Sequence, residues 1–206
     1  MVYKNLLNRL SFSLFFFILY LFTYNNKHLL FIFGTLIYLF ILYEILKSFK
    51  KHLKLILFYL STSYFFFSSY IFIFFDYLMF NIFIFTIIFF DSFSYFMGNF
   101  YGKKFLFKTI SPKKTLEGYL GGIFFTNIVF FLFFYFYPIK INFIFLIILL
   151  NFTILFSIVG DLIESFFKRK NNIKDSSNYL PGHGGFFDRF DSFIASIIFL
   201  TLLSLF

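Results

Sequence analysis

Seven apolar stretches, each close to the length a helix needs to cross a bilayer, run through this chain at 10–24, 29–43, 53–75, 80–97, 119–137, 141–159 and 186–206. A hydrocarbon core about 30 Å thick calls for roughly 20 apolar residues per helix. In lipid only helices and closed barrels satisfy their own backbone hydrogen bonds. The runs therefore predict an all-α, polytopic integral membrane protein with about seven transmembrane helices. The first two are short for that task. Fusing the third and fourth would give one run from 53 to 97, about twice what a bilayer accommodates, so two helices and a tight turn near 76–81 are expected. Composition agrees with lipid as the solvent: 61% of residues are hydrophobic and 13% charged, more apolar surface than one globule of this size hides.

Lysine and arginine set the expected orientation. With the amino terminus inside and seven crossings, sixteen of the 18 basic residues fall on one side and only Lys27 and Lys140 on the other. The positive-inside rule then places the long polar segments 98–118 and 160–185 on the cytoplasmic face, in a multi-pass protein expected in the bacterial inner membrane. The net charge of +9 needs no nucleic-acid partner, because a basic cytoplasmic face suits anionic lipid head groups and nucleotide phosphates. Lys4 and Arg9 precede the first run, yet TYNNK follows it where small cleavage-site residues would stand, so a retained anchor is expected. There is no cysteine, which leaves oxygen and imidazole as metal ligands and favours a hard cation. No internal repeat is visible. The expected organisation is one membrane domain, with amino-terminal helices over 1–90 and a catalytic region over 91–206.

Three polar clusters interrupt the oily sequence in that second region. In DSFSYFMGNFYGK, Asp91, Ser94 and Tyr95 stand at i, i+3 and i+4 on one side of a helix end. A carboxylate inside a span is costly unless it meets a partner or a wet cavity, although an interfacial Asp that simply reaches water is the plainer reading. In SPKKTLEGYLGG, Lys113 and Lys114 supply compact positive charge after Pro112, and Thr115, Glu117 and Gly118 open the next span. A lysine pair at such an entrance is ordinarily a topology signal; phosphate binding is the sharper alternative, without the glycine spacing or preceding strand of a P-loop. The third cluster starts at Gly160, Asp161 and Glu164 and continues through Lys168, Arg169, Lys170, Lys174 and Asp175 to LPGHGG, then Asp188, Arg189 and Asp191. Asp188 and Asp191 share a helix face near an N-terminus, where capping alone would account for them. Capping does not account for Asp161 and Glu164 at the same surface. Oxygen-only ligands suit Mg²⁺, which typically takes one or two carboxylates plus substrate phosphates and water. A lone histidine among glycines is more often a hydrogen-bonding loop residue than a ligand, so His183 is not assigned to a metal. The GHGG backbone, with Gly184 and Gly185, is suited to present N–H groups to an anion.

The KR, KD, LPGHGG and DRFD elements between 165 and 191, taken in order, resemble the signature of the phosphatidate cytidylyltransferases, the CDP-diacylglycerol synthases. GDLIES, SPKKTLEG followed by GG, and the segment from Asp91 to Tyr95 with its downstream glycines are similar to that family's other blocks. Ser94 departs from the alanine more usual there, and the chain is shorter than typical bacterial members, so trimmed early helices are expected. The resemblance implies that CTP and phosphatidate give CDP-diacylglycerol and pyrophosphate in phospholipid biosynthesis. It implies Asp161 and Asp188 as the metal-binding pair, for Mg²⁺ with a second cation as an option. Lys168, Arg169 and Lys174 join them as catalytic candidates. Asp91, Ser111, Lys113, Lys114, Glu117, Glu164, Asp175, His183, Gly184, Gly185, Arg189 and Asp191 are the substrate-binding candidates. The implied partners are CTP, phosphatidate and membrane phospholipids, with a homodimer as an option and no nucleic acid.

Two other classes fit parts of the pattern. A CTP-dependent lipid-alcohol (polyprenol) kinase would release CDP where the favoured reaction releases pyrophosphate, and the full LPGHGGFFDRFD run argues against it. A transporter or a non-catalytic membrane protein would use the polar loops only for topology. Transporters usually place ionisable groups near the midplane and often show repeats, whereas these acidic residues sit at span ends.

Overall fold

The computed structural model describes residues 14–15, 17–107, 109–137, 141–177, 179–180 and 184–205. Residues 14–23 are helical where described. Six further helices follow: α1 (Lys27–Ser48), α2 (Leu53–Ser69), α3 (Tyr77–Tyr101), α4 (Leu116–Phe136), α5 (Phe143–Lys170) and α6 (Phe187–Leu203). The protein is a multi-pass membrane protein. Five of its described helices are long and apolar enough to cross a bilayer, namely α1, α2 with its extension to Phe74, α3, α4 and α5; α6 has 17 residues. The helices occupy the places of the seven expected spans.

Short polar residues start four of these helices. Asn26 accepts from the backbone N–H groups of His28 and Leu29 (3.0 and 3.3 Å), Asp76 from Met79 (2.8 Å), Thr115 from Gly118 (3.2 Å) and Asn142 from Ile144 (2.9 Å). Each satisfies N–H groups that a helix start leaves without partners. The last turn of α2 widens to π geometry over Tyr70–Phe74, and the chain then turns at Phe75 and Asp76 into α3. The expected tight turn is there.

One local element departs from the sequence reading. Between α3 and α4 stands an antiparallel hairpin, β1 (Phe105–Phe107) and β2 (Ser111–Thr115), with Phe105 opposite Thr115 and Phe107 opposite Ser111. A strand does therefore precede α4, and it carries the SPKKT sequence. Strands this short have too few residues to display a period-2 pattern.

Helices in lipid gain little from hydrophobic burial against one another and pack through small residues and internal polar contacts. The α3–α4 seam shows this: a Cβ on Gly118 would come within 3.1 Å of the Gly98 Cα and 2.9 Å of the Ser94 carbonyl oxygen. At the α5–α6 seam, a Cβ on Gly160 would collide with the carbonyl oxygen of Asp191. Asn127 of α4 and Asn151 of α5 exchange side-chain hydrogen bonds at 3.2 and 3.3 Å. One continuous apolar core, reaching from Leu30 through Phe83 to Leu200, joins the early helices to the late ones.

Candidate active site

Helix α5 continues well past its apolar stretch, and its last turns carry Asp161, Glu164 and Lys168 at i, i+3 and i+7, a spacing that puts all three on one stripe. Lys168 Nζ stands between two carboxylates, 2.7 Å from Glu164 Oε2 and 2.8 Å from Asp188 Oδ1. Glu164 is 1% exposed. Burial of that kind requires a counter-charge, and Lys168 supplies it to both α5 and α6.

Asp188 has further partners. Its Oδ2 accepts from the backbone N–H of Gly185 (2.8 Å) and from the N–H and hydroxyl of Ser176 (2.9 and 3.1 Å). This carboxylate therefore ties the loop between α5 and α6 to the start of α6. Gly184 holds φ +84° beside it, a left-handed conformation that favours glycine, and its carbonyl accepts from the N–H of Leu180 at 2.9 Å.

A residue the sequence reading missed completes this end of the site. Glu44 of α1 is fully buried, and each of its oxygens serves one serine and one backbone amide. Oε1 accepts from Ser177 Oγ (2.6 Å) and Phe186 N (2.9 Å); Oε2 accepts from Ser176 Oγ (3.2 Å) and Phe187 N (3.0 Å). Helix N-termini attract negative charge, and here an early helix provides it to a late one. Gly185 has no room for a side chain, because a Cβ there would collide with Ser176 Oγ and approach both Glu44 oxygens within 2.8 Å. The available signal was a lone carboxylate directly at the end of an apolar run, where an ionisable group is a functional candidate if the helix carries it into the membrane.

A second charged group lies alongside. Lys114, on β2, places its Nζ 2.9 Å from Asp161 Oδ2 and 5.8 Å from the centre of the Tyr119 ring. Burial by itself would pull the Lys114 ammonium down, but attraction to Asp161 and Asp91 outweighs it and holds the group above the ordinary lysine value. Asp91 is within electrostatic reach of Lys114, Asp161 and Arg189, and Asp191 within reach of Asp161 and Asp91. Asp91 is exposed and lines a cavity beside α3. Ser94, by contrast, turns away into the α3–α4 seam and is buried.

The other sequence candidates are distributed around these two groups. Glu117 Oε2 accepts from the backbone N–H groups of Lys103 and Lys104 (3.0 and 3.1 Å), closing the corner after α3. Arg169 donates through Nε to the Ile110 carbonyl at 3.2 Å, bracing the hairpin against α5. Ser111 is buried, whereas Lys113, Lys174 and Asp175 are exposed around the site. His183 lies outside the described residues.

Among the described residues, no three carboxylate or imidazole groups converge as a ready-made metal cage. What is present suits a cation that brings phosphate and water as its remaining ligands: Asp161 and Glu164 one turn apart on α5, and Asp188 of α6 sharing Lys168 with Glu164. Glu164 Oε1 is buried and has no hydrogen-bond partner, an orphaned acceptor of the right chemistry. The oxygen donors fit Mg²⁺.

Beside the charged groups lies a cavity of about 600 Å³ between α1 and α3. Its lining is apolar along most of its length, and Asp91, Ser92 and Arg189 are the charged or polar members at the end next to Asp161.

Over residues 2–206 the chain matches the model of the Cytidylyltransferase family. It is 43% identical over 107 residues to a phosphatidate cytidylyltransferase of Bacillus subtilis (strain 168), which covers 52% of this chain and 40% of that protein. It is 45% identical over 109 residues to the enzyme of that name from Staphylococcus aureus (strain COL), covering 52% and 41%, and 42% identical over 106 residues to the one from Staphylococcus haemolyticus, covering 52% and 41%. The match thus spans about two fifths of the length of these curated relatives. With the family model covering all but the first residue, the chain belongs to the cytidylyltransferase family.

Proposed function

We propose that the protein is a phosphatidate cytidylyltransferase, joining the CMP moiety of CTP to phosphatidate and releasing pyrophosphate. The relatives that carry this name support the reading. The observation that carries it is the juxtaposition of an apolar cavity with two lysine–carboxylate groups, Lys114 with Asp161 and Lys168 with Glu164 and Asp188, at one end of the helix bundle. A lipid-dissolved reactant and a polyanionic, water-soluble one can meet only at such a boundary.

A phosphate oxygen of phosphatidate attacks the α-phosphorus of CTP. The new bond is P–O–P, the bond between the α- and β-phosphates breaks, and pyrophosphate leaves with the electron pair. The lipid is the nucleophile, so the protein's work is to position both anions and offset their charge. Lys114, Lys168, Arg169 and Lys174 supply positive charge, and Asp188 fixes the 174–185 loop against α6 through Ser176 and Gly185. Asp161 and Asp188 would hold Mg²⁺, with Glu164 beside them, and the ion would supply positive charge to offset that of the phosphates. The 16-to-2 split of basic residues supports a cytoplasmic position for this end.

Purified protein in detergent, given CTP, phosphatidate and Mg²⁺, is expected to release pyrophosphate and form CDP-diacylglycerol. Release of CDP, with phosphorylation of an added lipid alcohol, would replace this reading with the kinase one.

A further inference from the structure

We propose that the cavity between α1 and α3 is a measuring slot for one acyl chain of the lipid substrate, with Ile84 of α3 on its wall at mid-depth and Phe80 at its closed end. This deepens the proposed function and rests on it for the identity of the head group.

The slot has a polar end and a dry end. Asp91, Ser92 and Arg189 mark the first, next to the Lys114–Asp161 pair. Leu30, Ile84, Phe80 and Phe193 line the remainder. Two tyrosines also reach it, but their hydroxyls are engaged elsewhere: Tyr20 donates to Asn81 Oδ1 at 2.6 Å, and Tyr38 shares a 2.6 Å hydrogen bond with Ser63, which donates on to the Ile194 carbonyl at 2.7 Å. Beyond the polar end, these described walls offer hydrocarbon and no spare hydroxyl. A dry slot with a charged rim at one end suits an amphiphile with one polar head at the rim and one alkyl tail in the slot; the proposed function makes that head the phosphate of phosphatidate.

The length agrees. From Asp91 back to Phe80 is eleven residues of continuous α3, or about 16 Å at ~1.5 Å per residue. One leaflet is half of a hydrocarbon core about 30 Å thick, so the slot is as deep as one leaflet. Ile84 stands about two turns in from Asp91, and Phe80 is one turn deeper. Tyr20, hydrogen-bonded to Asn81, packs the 14–23 helical segment against that far end. A chain that fits the slot fills it to this stop; a longer one must bend out.

Two experiments test the proposal. The first offers an equimolar mixture of short-, medium- and long-chain phosphatidates and reads the product ratio. Ile84→Trp, which fills the slot at mid-depth, should shift the short-to-long ratio at least tenfold toward short chains, and Phe80→Ala, which opens its end, should shift it toward long ones. Active Ile84→Trp protein with the wild-type ratio would overturn the slot. The second uses unaltered protein and phosphatidate with a photoreactive diazirine at the end of one acyl chain. Crosslinks that unlabelled phosphatidate removes and phosphatidylcholine does not should map to residues around Leu30 and Phe80. Competable crosslinks confined to other helix faces, or none, would overturn it. Competable labelling at Leu30 and Phe80 without any turnover of phosphatidate would uphold the slot and refute the proposed reaction, so the two failures are distinguishable.

Discussion

Glu44 and Phe187 are 143 positions apart in sequence, yet the Glu44 carboxylate accepts a 3.0 Å hydrogen bond from the Phe187 backbone N–H. The amino-terminal half of the chain therefore holds in place the helix that carries Asp188. Glu44→Gln is the informative change. Each oxygen of the carboxylate serves one backbone N–H, and an amide has only one oxygen, so one of these two N–H groups loses its Glu44 acceptor. An unsatisfied buried donor costs about 1–3 kcal/mol. Glu44→Gln should unfold at a lower temperature in detergent and lose turnover, and an unchanged melting curve would show that the contact carries no weight.

Lys168 is the common partner of Glu164 and Asp188. Removing its charge in Lys168→Met leaves two buried carboxylates facing one another, and loss of one member of a buried ion pair costs about 3–5 kcal/mol. The double variant Lys168→Met with Glu164→Gln should regain part of that loss, because one stranded charge is gone. A double-variant cycle by thermal or denaturant unfolding measures the coupling. Simple additivity of the two effects would contradict the bridging role.

Lys114 gives a pH prediction. Its folded-state value lies above the ordinary one, because attraction to Asp161 and Asp91 outweighs the opposing effect of burial. A group raised in this way contributes stability that is fully present below its unfolded value, about 10.4 for lysine. The contribution is lost only as pH rises through the higher folded value. The stability difference between wild type and Lys114→Met should thus stay level from about pH 8 to 9, above the range in which carboxylates titrate. A difference that falls steadily across that interval would show that Lys114 titrates there, against this account.

The sequence revealed the architecture more fully than it revealed the site. Apolar runs located the helices because the requirement for a membrane-length apolar segment is blunt and nearly independent of detail. They misplaced the ends. The expected span 141–159 belongs to a helix that runs from Phe143 to Lys170, since hydropathy marks where a helix leaves lipid and says nothing of a polar continuation stabilised by its own Glu164–Lys168 pair. Within the site, the clusters around Lys114, Asp161 and Asp188 were visible as charge in an oily chain. Their partnerships were not: the pairing of Lys114 with Asp161 depends on how a hairpin folds against α5, and the corner closed by Glu117 depends on backbone amides that no motif displays. Glu44 was legible in principle as an intramembrane carboxylate, but it lies one residue past the expected end of its span and outside the motif-bearing half.

Isotope position in the products of a single reaction tests the central claim most directly. With CTP labelled at the α-phosphorus the account predicts label in the lipid, and with CTP labelled at the γ-phosphorus it predicts label in pyrophosphate alone. Asp161→Asn and Asp188→Asn should each slow α-label transfer roughly a thousandfold, equivalent to about 4 kcal/mol, whereas Asp76→Asn, which retains an oxygen to cap α3, should leave it near wild type. Label from the γ-phosphorus in the lipid, or full α-label transfer by Asp188→Asn, would contradict the account.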